Sequence, residues 1–343
     1  MEFSFEQLAF ALGKPTLQGC MRKHVDDFRV EEQLGFDLSG TGQHVWLRVR
    51  KRNTNTDWLA RQLAGLAKVP LRDVGYAGLK DRHAVTTQWF SVDLRGQPSP
   101  DWHTLGNEDI EILEITWHDK KLRRGAHAAN RFEIVLRQLT GDDSRLEERL
   151  QHIVEEGVPN YFGEQRFGKQ FSNLRAATEF FECDAKRKYR RHQRSLYLSA
   201  ARSWVFNMYL SERVRQETWR EAIAGDVLLL TGSKSFFHCA VVDDEIKRRI
   251  ADGDVMPSGP LWGQGELPTS GQVLKLEQDI GLRYETFCRG LESYGLKQQR
   301  RSLVLQPEHL QWEIPAPETL ALEFALPAGG FATSVIRELA VVA

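Results

Sequence analysis

The chain has 343 residues, too many for one small core, which predicts two domains or one large domain with an insertion. Apolar residues make up 41% and charged residues 27%, an ordinary globular balance, and a net charge of −1 excludes an overall field that would draw in a polyanion. Nucleic-acid binding would then rest on local basic patches.

Cys20, Cys183, Cys239 and Cys288 stand far apart, which excludes a short-spaced metal knuckle and argues against a disulfide framework. The opening stretch MEFSFEQLAFALGKP carries acids rather than a cationic start, and its apolar run is too interrupted for a signal peptide. No segment approaches the roughly 20 apolar residues of a membrane span. A cytoplasmic protein is expected. No dedicated interface stripe is visible, so a monomer is expected too.

In chain order, FRVEEQ (28–33) and HVWLRVRK (44–51) alternate apolar and polar residues, as half-buried strands do, with a turn at 37–43. Thr56 has the chemistry of an N-cap, followed by Trp58, Leu59, Leu63 and Leu66 at helical spacing to about Lys68, and Pro70 stops that helix. GYAGLKDRHAVTTQWFSV (75–92) places a charged knot in a glycine-loosened bend before a strand from Thr86 to Val92. Two more alternating strands follow at 109–117 and 131–139. DDSRLEERLQHIVEEG then reads as a helix with an acidic first turn and Gly157 beyond its end. Helical patterns dominate at 172–182 and from about 197 to 224, a mixed, loop-rich stretch runs from 225 to 304, and LALEFALP (320–327) turns β again before a short final helix. The expectation is an α+β fold: a sheet domain made from both ends of the chain, 1–155 plus 305–343, with a helix-rich insertion at 156–304.

Asp81 is the first candidate for chemistry. As an ionised carboxylate it can serve as nucleophile or general base, and a cation such as Lys80 or Arg82 would favour its charged form if close. Chain neighbours diverge, so only some of these cations can face it. The plainer reading is an Asp in a turn among solvated charges. Glu31 and Glu32 would suit a glycoside hydrolase if paired with Asp81 across a sugar, or else merely decorate a strand. The histidines, among them His24, His83, His118 and His127, lack metal-ligand spacing, so no metal site is expected. PAGGFATSV (327–335) sets glycines before a helix but lacks a phosphate-loop lysine, and Thr333 or Ser334 capping that helix explains it equally. Four basic clusters remain: RVRKRN (48–53), KKLRR (120–124), KRKYRRHQR (186–194) and KQQRR (297–301). They are solvated surface or a grip on a phosphate backbone. Tyr161, Phe162 and Phe167 in a nearby loop are core, or platforms for unpaired bases.

Beyond this point a resemblance adds to the residues. GLKDRHAVTTQ (78–88), PNYFGEQRFG (159–168), SAARSWVFN (199–207), LPAGGFATSVIREL (326–339) and DDFRVEEQLGF (26–36) resemble, in order and nearly end to end, the signatures of the TruD family of pseudouridine synthases. The resemblance implies a pseudouridine-synthase catalytic domain of mixed, largely antiparallel sheet carrying an inserted TRUD domain. It implies isomerisation of a uridine in transfer RNA, at position 13, without a cofactor. It implies Asp81 as the nucleophile, with Phe28, Asn130 and Phe331 contacting substrate and Phe132 packing under the target base. Lys80 and Arg82 would be supporting charges. A non-catalytic RNA-binding or remodelling protein on the same fold is the alternative.

Overall fold

A computed structural model of the chain describes residues 2–182, 189–233 and 235–342. It divides into two compact units. The first to consider comprises Thr16–Ser144, Pro307–Gly329 and Ala340–Ala343. Its strands are β1 (Gln18–Met21), β2 (Phe28–Gln33), β3 (His44–Arg52), β4 (Val74–Tyr76), β5 (Val85–Asp93), β6 (Ile110–His118) and β7 (Ala129–Thr140). One helix, α1 (Thr56–Leu66), lies between β3 and β4 in sequence. The chain returns later with three more strands, given below.

The main sheet path places β7, β2, β5, β3 and β6 side by side. β2 runs parallel to β5, and the other pairs on this path are antiparallel. Register decides which side chains share a face, because cross-strand partners point the same way. Val30 lies opposite both Thr86 and Phe132, and Thr86 lies opposite Lys51. Counting by twos, Phe28 and Glu32 of β2, Asn130 and Phe132 of β7, Gln88 of β5 and Lys51 of β3 therefore share one face. Apolar neighbours on that face, Val45, Leu47, Val49, Phe90 and Val92, form the core with Leu59 and Leu63 of α1. Leu63 is fully buried, and truncating it to Ala would cost about 2–5 kcal/mol.

The cap of α1 is Asn55, not the expected Thr56: its side-chain oxygen accepts from the amides of Asp57 (2.8 Å) and Trp58 (3.3 Å). Thr56 is the first helical residue, and its buried hydroxyl turns inward to Gln88 instead. Gly75 answers a steric demand, since a Cβ there would lie 2.3 Å from the Leu122 carbonyl oxygen.

The other unit comprises Met1–Pro15, Arg145–Gln306 and Gly330–Leu339. In chain order it holds α2 (Leu146–Glu156), β8 (Val158–Pro159), α3 (Ser172–Glu182), α4 (Arg191–Arg215), β9 (Asp226–Leu230), β10 (Phe236–Cys239), α5 (Asp244–Ala251), β11 (Val255–Leu261), α6 (Gly271–Arg283), α7 (Glu285–Ser293), β12 (Gln299–Ser302) and β13 (Val304–Leu305). Strands β14 (Glu308–Ala316) and β15 (Thr319–Pro327) then extend the large sheet beyond β7, α8 (Ala332–Leu339) belongs to the helical unit, and β16 (Val341–Val342) pairs with β1. The core of the helical unit surrounds α4, where Trp204, Phe206, Tyr209 and Leu210 are all fully buried. α4 starts earlier than expected and ends sooner, at Arg215, where Glu217 takes a left-handed backbone (φ 56°).

Two differences from the sequence pattern have physical causes. The stretch from 225 to 304 is well structured, with strands in order β10-β9-β11-β12. Pro257 and Pro260 inside β11 disguise it as loop. By contact, residues 1–15, 145–155 and 330–339 pack with the helices, whereas the sequence division groups them with the sheet. Buried Arg149 of α2 ties them together, donating to the carbonyls of Gly13 (3.1 Å) and Glu338 (2.7 Å).

Candidate active site

Asp81 lies in the loop between β4 and β5, and that loop is fixed at several points. Gln88 Nε2 donates to the Gly78 carbonyl at 3.2 Å. The Lys80 amide donates to Thr56 Oγ1 at 3.1 Å, and this hydroxyl donates to Gln88 Oε1 at 3.0 Å. The Lys51 ammonium donates to the Thr54 carbonyl at 2.7 Å and reaches the Asp81 carbonyl at 3.4 Å. The inward turn of Thr56 and the polar positions on an otherwise apolar sheet face thus serve one loop.

The Asp81 carboxylate accepts a hydrogen bond from Arg22 Nη2 at 2.7 Å. Both side chains are partly exposed. Arg22 follows β1 in a left-handed conformation (φ 64°), uncommon for a residue with a Cβ. Its guanidinium also lies 4.1 Å from the centre of the Phe28 ring, within cation–π range.

The two cations beside Asp81 in the chain have other positions. The Lys80 ammonium turns back into the sheet, 3.0 Å from Glu32 Oε2, and donates to Asn130 Oδ1. Glu32 is buried and also accepts from the Trp89 amide at 3.2 Å. Arg82 is exposed. Arg22 is thus a cation on the Asp81 carboxylate, while the Lys80 ammonium faces Glu32. Sequence reasoning missed Arg22 because 59 residues separate it from Asp81.

Lys51 was also missed. It is completely buried, and burial pulls its ammonium down to about 8, with the Asp81 charge opposing and the Lys80 charge adding to that fall. Its only sequence signal was a lysine at an inward position of an alternating strand. His127 accepts or shares a contact with Asn130 Nδ2 at 3.1 Å. Burial and the nearby Lys80 charge lower its pKa, which favours neutral imidazole.

Phe28 and Phe132 are buried on the shared sheet face. Phe132 meets Phe28 edge-on at 6.2 Å and stacks on Phe324 at 5.6 Å. Asn130 already uses its oxygen toward Lys80 and its nitrogen toward His127. An amide has two lone pairs and two N–H groups, so one acceptor and one donor remain. Phe331 belongs to the helical unit, where it packs edge-on against Phe162 at 5.7 Å with the Arg166 guanidinium 5.7 Å from its ring.

The basic clusters divide. In 48–53, Arg48 pairs with Glu31, Arg50 with Glu111 and Arg52 with Asp26, and Lys51 is buried. In 297–301, Arg300 is buried against Glu277 and Arg301 lies over the Phe162 ring. In these two clusters the arginines named are engaged by groups of the fold, though Arg50 and Lys297 remain exposed. The cluster 120–124 instead lines a cavity of about 500 Å³ with Arg61, Asp57 and Tyr76. Asp57 there accepts from the Tyr76 hydroxyl, and Arg124 lies over the Tyr76 ring. In 186–194, residues 186–188 lie outside the described residues, as does Cys183, and Arg190, Arg191 and Arg194 are exposed. Among the described residues no group of three His, Cys, Asp or Glu is placed to hold a metal, and no helix is long and apolar enough to cross a membrane.

Comparison with known proteins agrees with this architecture. The family model for tRNA pseudouridine synthase D (TruD) matches residues 4–187 and 173–339. A tRNA pseudouridine synthase D of Methylococcus capsulatus is 47% identical over 335 residues, covering 98% of this chain and 94% of that one. Its counterpart from Hydrogenovibrio crunogenus is 44% identical over 336 residues, covering 98% and 96%. A solved Methanosarcina mazei structure bearing the TruD name has the same fold, with a TM-score of 0.73 at 20% identity over 99% of this chain and 98% of that one. The chain belongs to the TruD family of pseudouridine synthases, a family of isomerases.

Proposed function

We propose that this chain isomerises a uridine of transfer RNA, at position 13, to pseudouridine, with Asp81 as the nucleophile. The observation that carries the reading is one guanidinium: Arg22 holds Asp81 Oδ2 at 2.7 Å while lying 4.1 Å from the Phe28 ring. It joins an oriented carboxylate to an aromatic face beside Phe132 and Asn130.

The chemistry requires little else. The C1′–N1 bond breaks, the uracil turns, C1′ bonds to C5, the C5 proton leaves and N1 gains one. Atoms are conserved and nothing is oxidised, so the reaction calls for no cofactor. Asp81 attacks C1′, adds to C6 or removes the C2′ proton; each role needs an ionised aspartate shielded from bulk water. A stacked uridine must first leave its helix. Phe28 and Phe132, both buried with their rings packed on Arg22 and Phe324, are proposed as substrate contacts on the family motifs, and the remaining donor and acceptor of Asn130 suit an edge of uracil. Phe331 is proposed as a substrate contact on the family motif alone. The division into a catalytic domain, 1–155 plus 305–343, and an inserted domain, 156–304, is proposed on the same ground. A cytoplasmic monomer is the working assignment. The cavity lined by Arg61, Lys121, Arg123 and Arg124 suits RNA phosphates.

A glycoside hydrolase pairing Asp81 with Glu31 or Glu32 fits less well, since Arg48 engages Glu31 and Lys80 engages Glu32. The test is turnover on unmodified transfer RNA by wild type and Asp81→Ala, with binding measured in parallel and a transfer RNA lacking uridine at position 13 as control. The reading requires pseudouridine from wild type only, on the intact target only. Equal activity of both proteins would remove Asp81 as nucleophile. Binding without turnover by either would favour the non-catalytic RNA binder.

A further inference from the structure

Leu79 stands two residues before Asp81 with 58% of its surface exposed. A single exposed leucine is unremarkable in itself, because much protein surface is apolar. What distinguishes Leu79 is the fixed backbone on both sides of it. The Ala77 carbonyl accepts from the Gly125 amide at 2.7 Å, and the Gly78 carbonyl accepts from Gln88 at 3.2 Å. Just after Leu79, the Lys80 amide is held by Thr56 at 3.1 Å and the Lys80 side chain by Glu32 at 3.0 Å. A free loop would let an apolar side chain fold back onto the protein. This loop is tethered at 77, 78 and 80, and it presents Leu79 to solvent beside the candidate nucleophile.

We propose that Leu79 is the wedge that enters the RNA stack when the target uridine leaves it. The inference deepens the proposed function and rests on Asp81 being the residue that meets the extruded nucleotide. Extracting a base leaves a gap between its former neighbours, and apolar side chains that insert between bases are a known remedy for lost stacking. The reach fits: two residues span at most about 7 Å, so a Leu79 side chain in the vacated stack leaves Asp81 within reach of a ribose swung outward. The side chain has no polar group that must be desolvated on entry.

The experiment compares wild type, Leu79→Ala and Leu79→Met on two substrates. One is folded transfer RNA with 2-aminopurine next to the target uridine. The other carries the same uridine in an unstructured oligoribonucleotide. Single-turnover pseudouridine formation and 2-aminopurine fluorescence are both recorded. Leu79→Ala is expected to slow turnover on transfer RNA by about 10- to 100-fold and to suppress the fluorescence rise, to react with the oligonucleotide at close to the wild-type rate, and to melt at the wild-type temperature. Leu79→Met, long and apolar, restores most of the loss. Wild-type rates for Leu79→Ala on transfer RNA, or equal losses on both RNAs, would overturn the wedge. Fluorescence reads extrusion without chemistry, so the same signal in an Asp81→Asn background separates a failure of the wedge from a failure of the nucleophile assignment.

Discussion

The two units each bury charge, and they do so differently. In the helical unit, Arg213 and Asp226 are both fully buried and form two parallel bonds of 2.7 and 3.0 Å. Tyr209 and Thr218 accept the remaining guanidinium donors, and the Ile223 amide donates to Asp226. Arg300 and Glu277 repeat the design, with Thr269 donating to the same carboxylate. Each cation has its anion and the network is closed. In the sheet unit, Lys51, Lys80 and Arg22 surround Glu32 and Asp81. The Asp81 side chain is 32% exposed. The two pairs in the helical unit are sealed, whereas this cluster is open at Asp81, as suits a site that receives a polyanion.

The contrast is broken most sharply by neutralising one carboxylate in each cluster. Asp81→Asn should reduce turnover by about 10⁴-fold or more while melting near the wild-type temperature, because it removes the proposed nucleophile and with it the pathway. Asp226→Asn should do the reverse. Stranding buried Arg213 without its counter-charge costs about 3–5 kcal/mol of stability, and the folded fraction keeps its turnover number. Thermal melts beside single-turnover assays read both. If Asp81→Asn unfolds the protein, or Asp226→Asn leaves stability unchanged, the distinction between a working and a supporting cluster is wrong.

Arg22 comes next. Removing it leaves Asp81 without its 2.7 Å partner and Phe28 without its stacked cation. Arg22→Ala should lower kcat by about 100-fold, within the range of a positioned charge acting on a catalytic group. Arg22→Lys should recover only part, because a lysine keeps the charge but not the planar stack on Phe28. Full recovery by lysine would assign Arg22 a purely electrostatic role.

These residues also mark the limits of what the chain announces about itself. Residue patterning singles out Asp81 only as one turn carboxylate among charges, and Phe28, Asn130 and Phe132 become candidates only through the family motifs that contain them. Neither singles out Arg22 or Lys51. Their relation to Asp81 spans 59 and 30 residues and exists only once β1, β3 and the loop after β4 are assembled. Adjacency along a chain sends side chains apart, and the Lys80 ammonium beside Asp81 in sequence turns to Glu32. Strand β2 was legible to the residue because Phe28, Val30 and Glu32 alternate with polar neighbours. β11 was hidden by two prolines, and β4 by its length of three residues. The packing of residues 1–15 and 330–339 in the helical unit includes Arg149 reaching the distant Gly13 and Glu338 carbonyls, which no local pattern encodes.

Lys51 sharpens the comparison through pH. Its ammonium titrates at about 8 instead of 10.5 because it is buried. Below about pH 8 it is charged whether the chain is folded or not, and the burial penalty is fully present. Between about 8 and 10.5 the unfolded chain holds the proton that the folded chain has released, so this group's contribution to stability rises with pH. Turnover should move the other way, falling several-fold above about pH 8 as the charge behind the Asp81 loop is lost. Lys51→Met should flatten both slopes. Urea melts and pH–rate profiles at saturating RNA decide it, and a Lys51→Met profile that still falls with the wild-type midpoint would assign the ionisation to another group.

The smallest expected effect concerns the cavity beside α1. Arg61 and Arg123 line it together with Lys121 and Arg124. Asp57, the acid in its lining, is already engaged by the Tyr76 hydroxyl. If RNA phosphates bind there, each neutralised arginine removes one counterion-releasing contact. The double variant Arg61→Ala with Arg123→Ala should then lower the slope of log affinity against log salt by about 1.4–1.8, taking roughly 0.7–0.9 per contact. KM should rise a few-fold at moderate salt while kcat stays at the wild-type value. The same pair of substitutions at Arg50 and Arg52 provides the control. Their guanidiniums are engaged by Glu111 and Asp26, so the slope should barely change. A larger change at Arg50 and Arg52 than at the cavity would mean that ion-paired arginines rearrange to meet RNA, and the cavity would lose its claim.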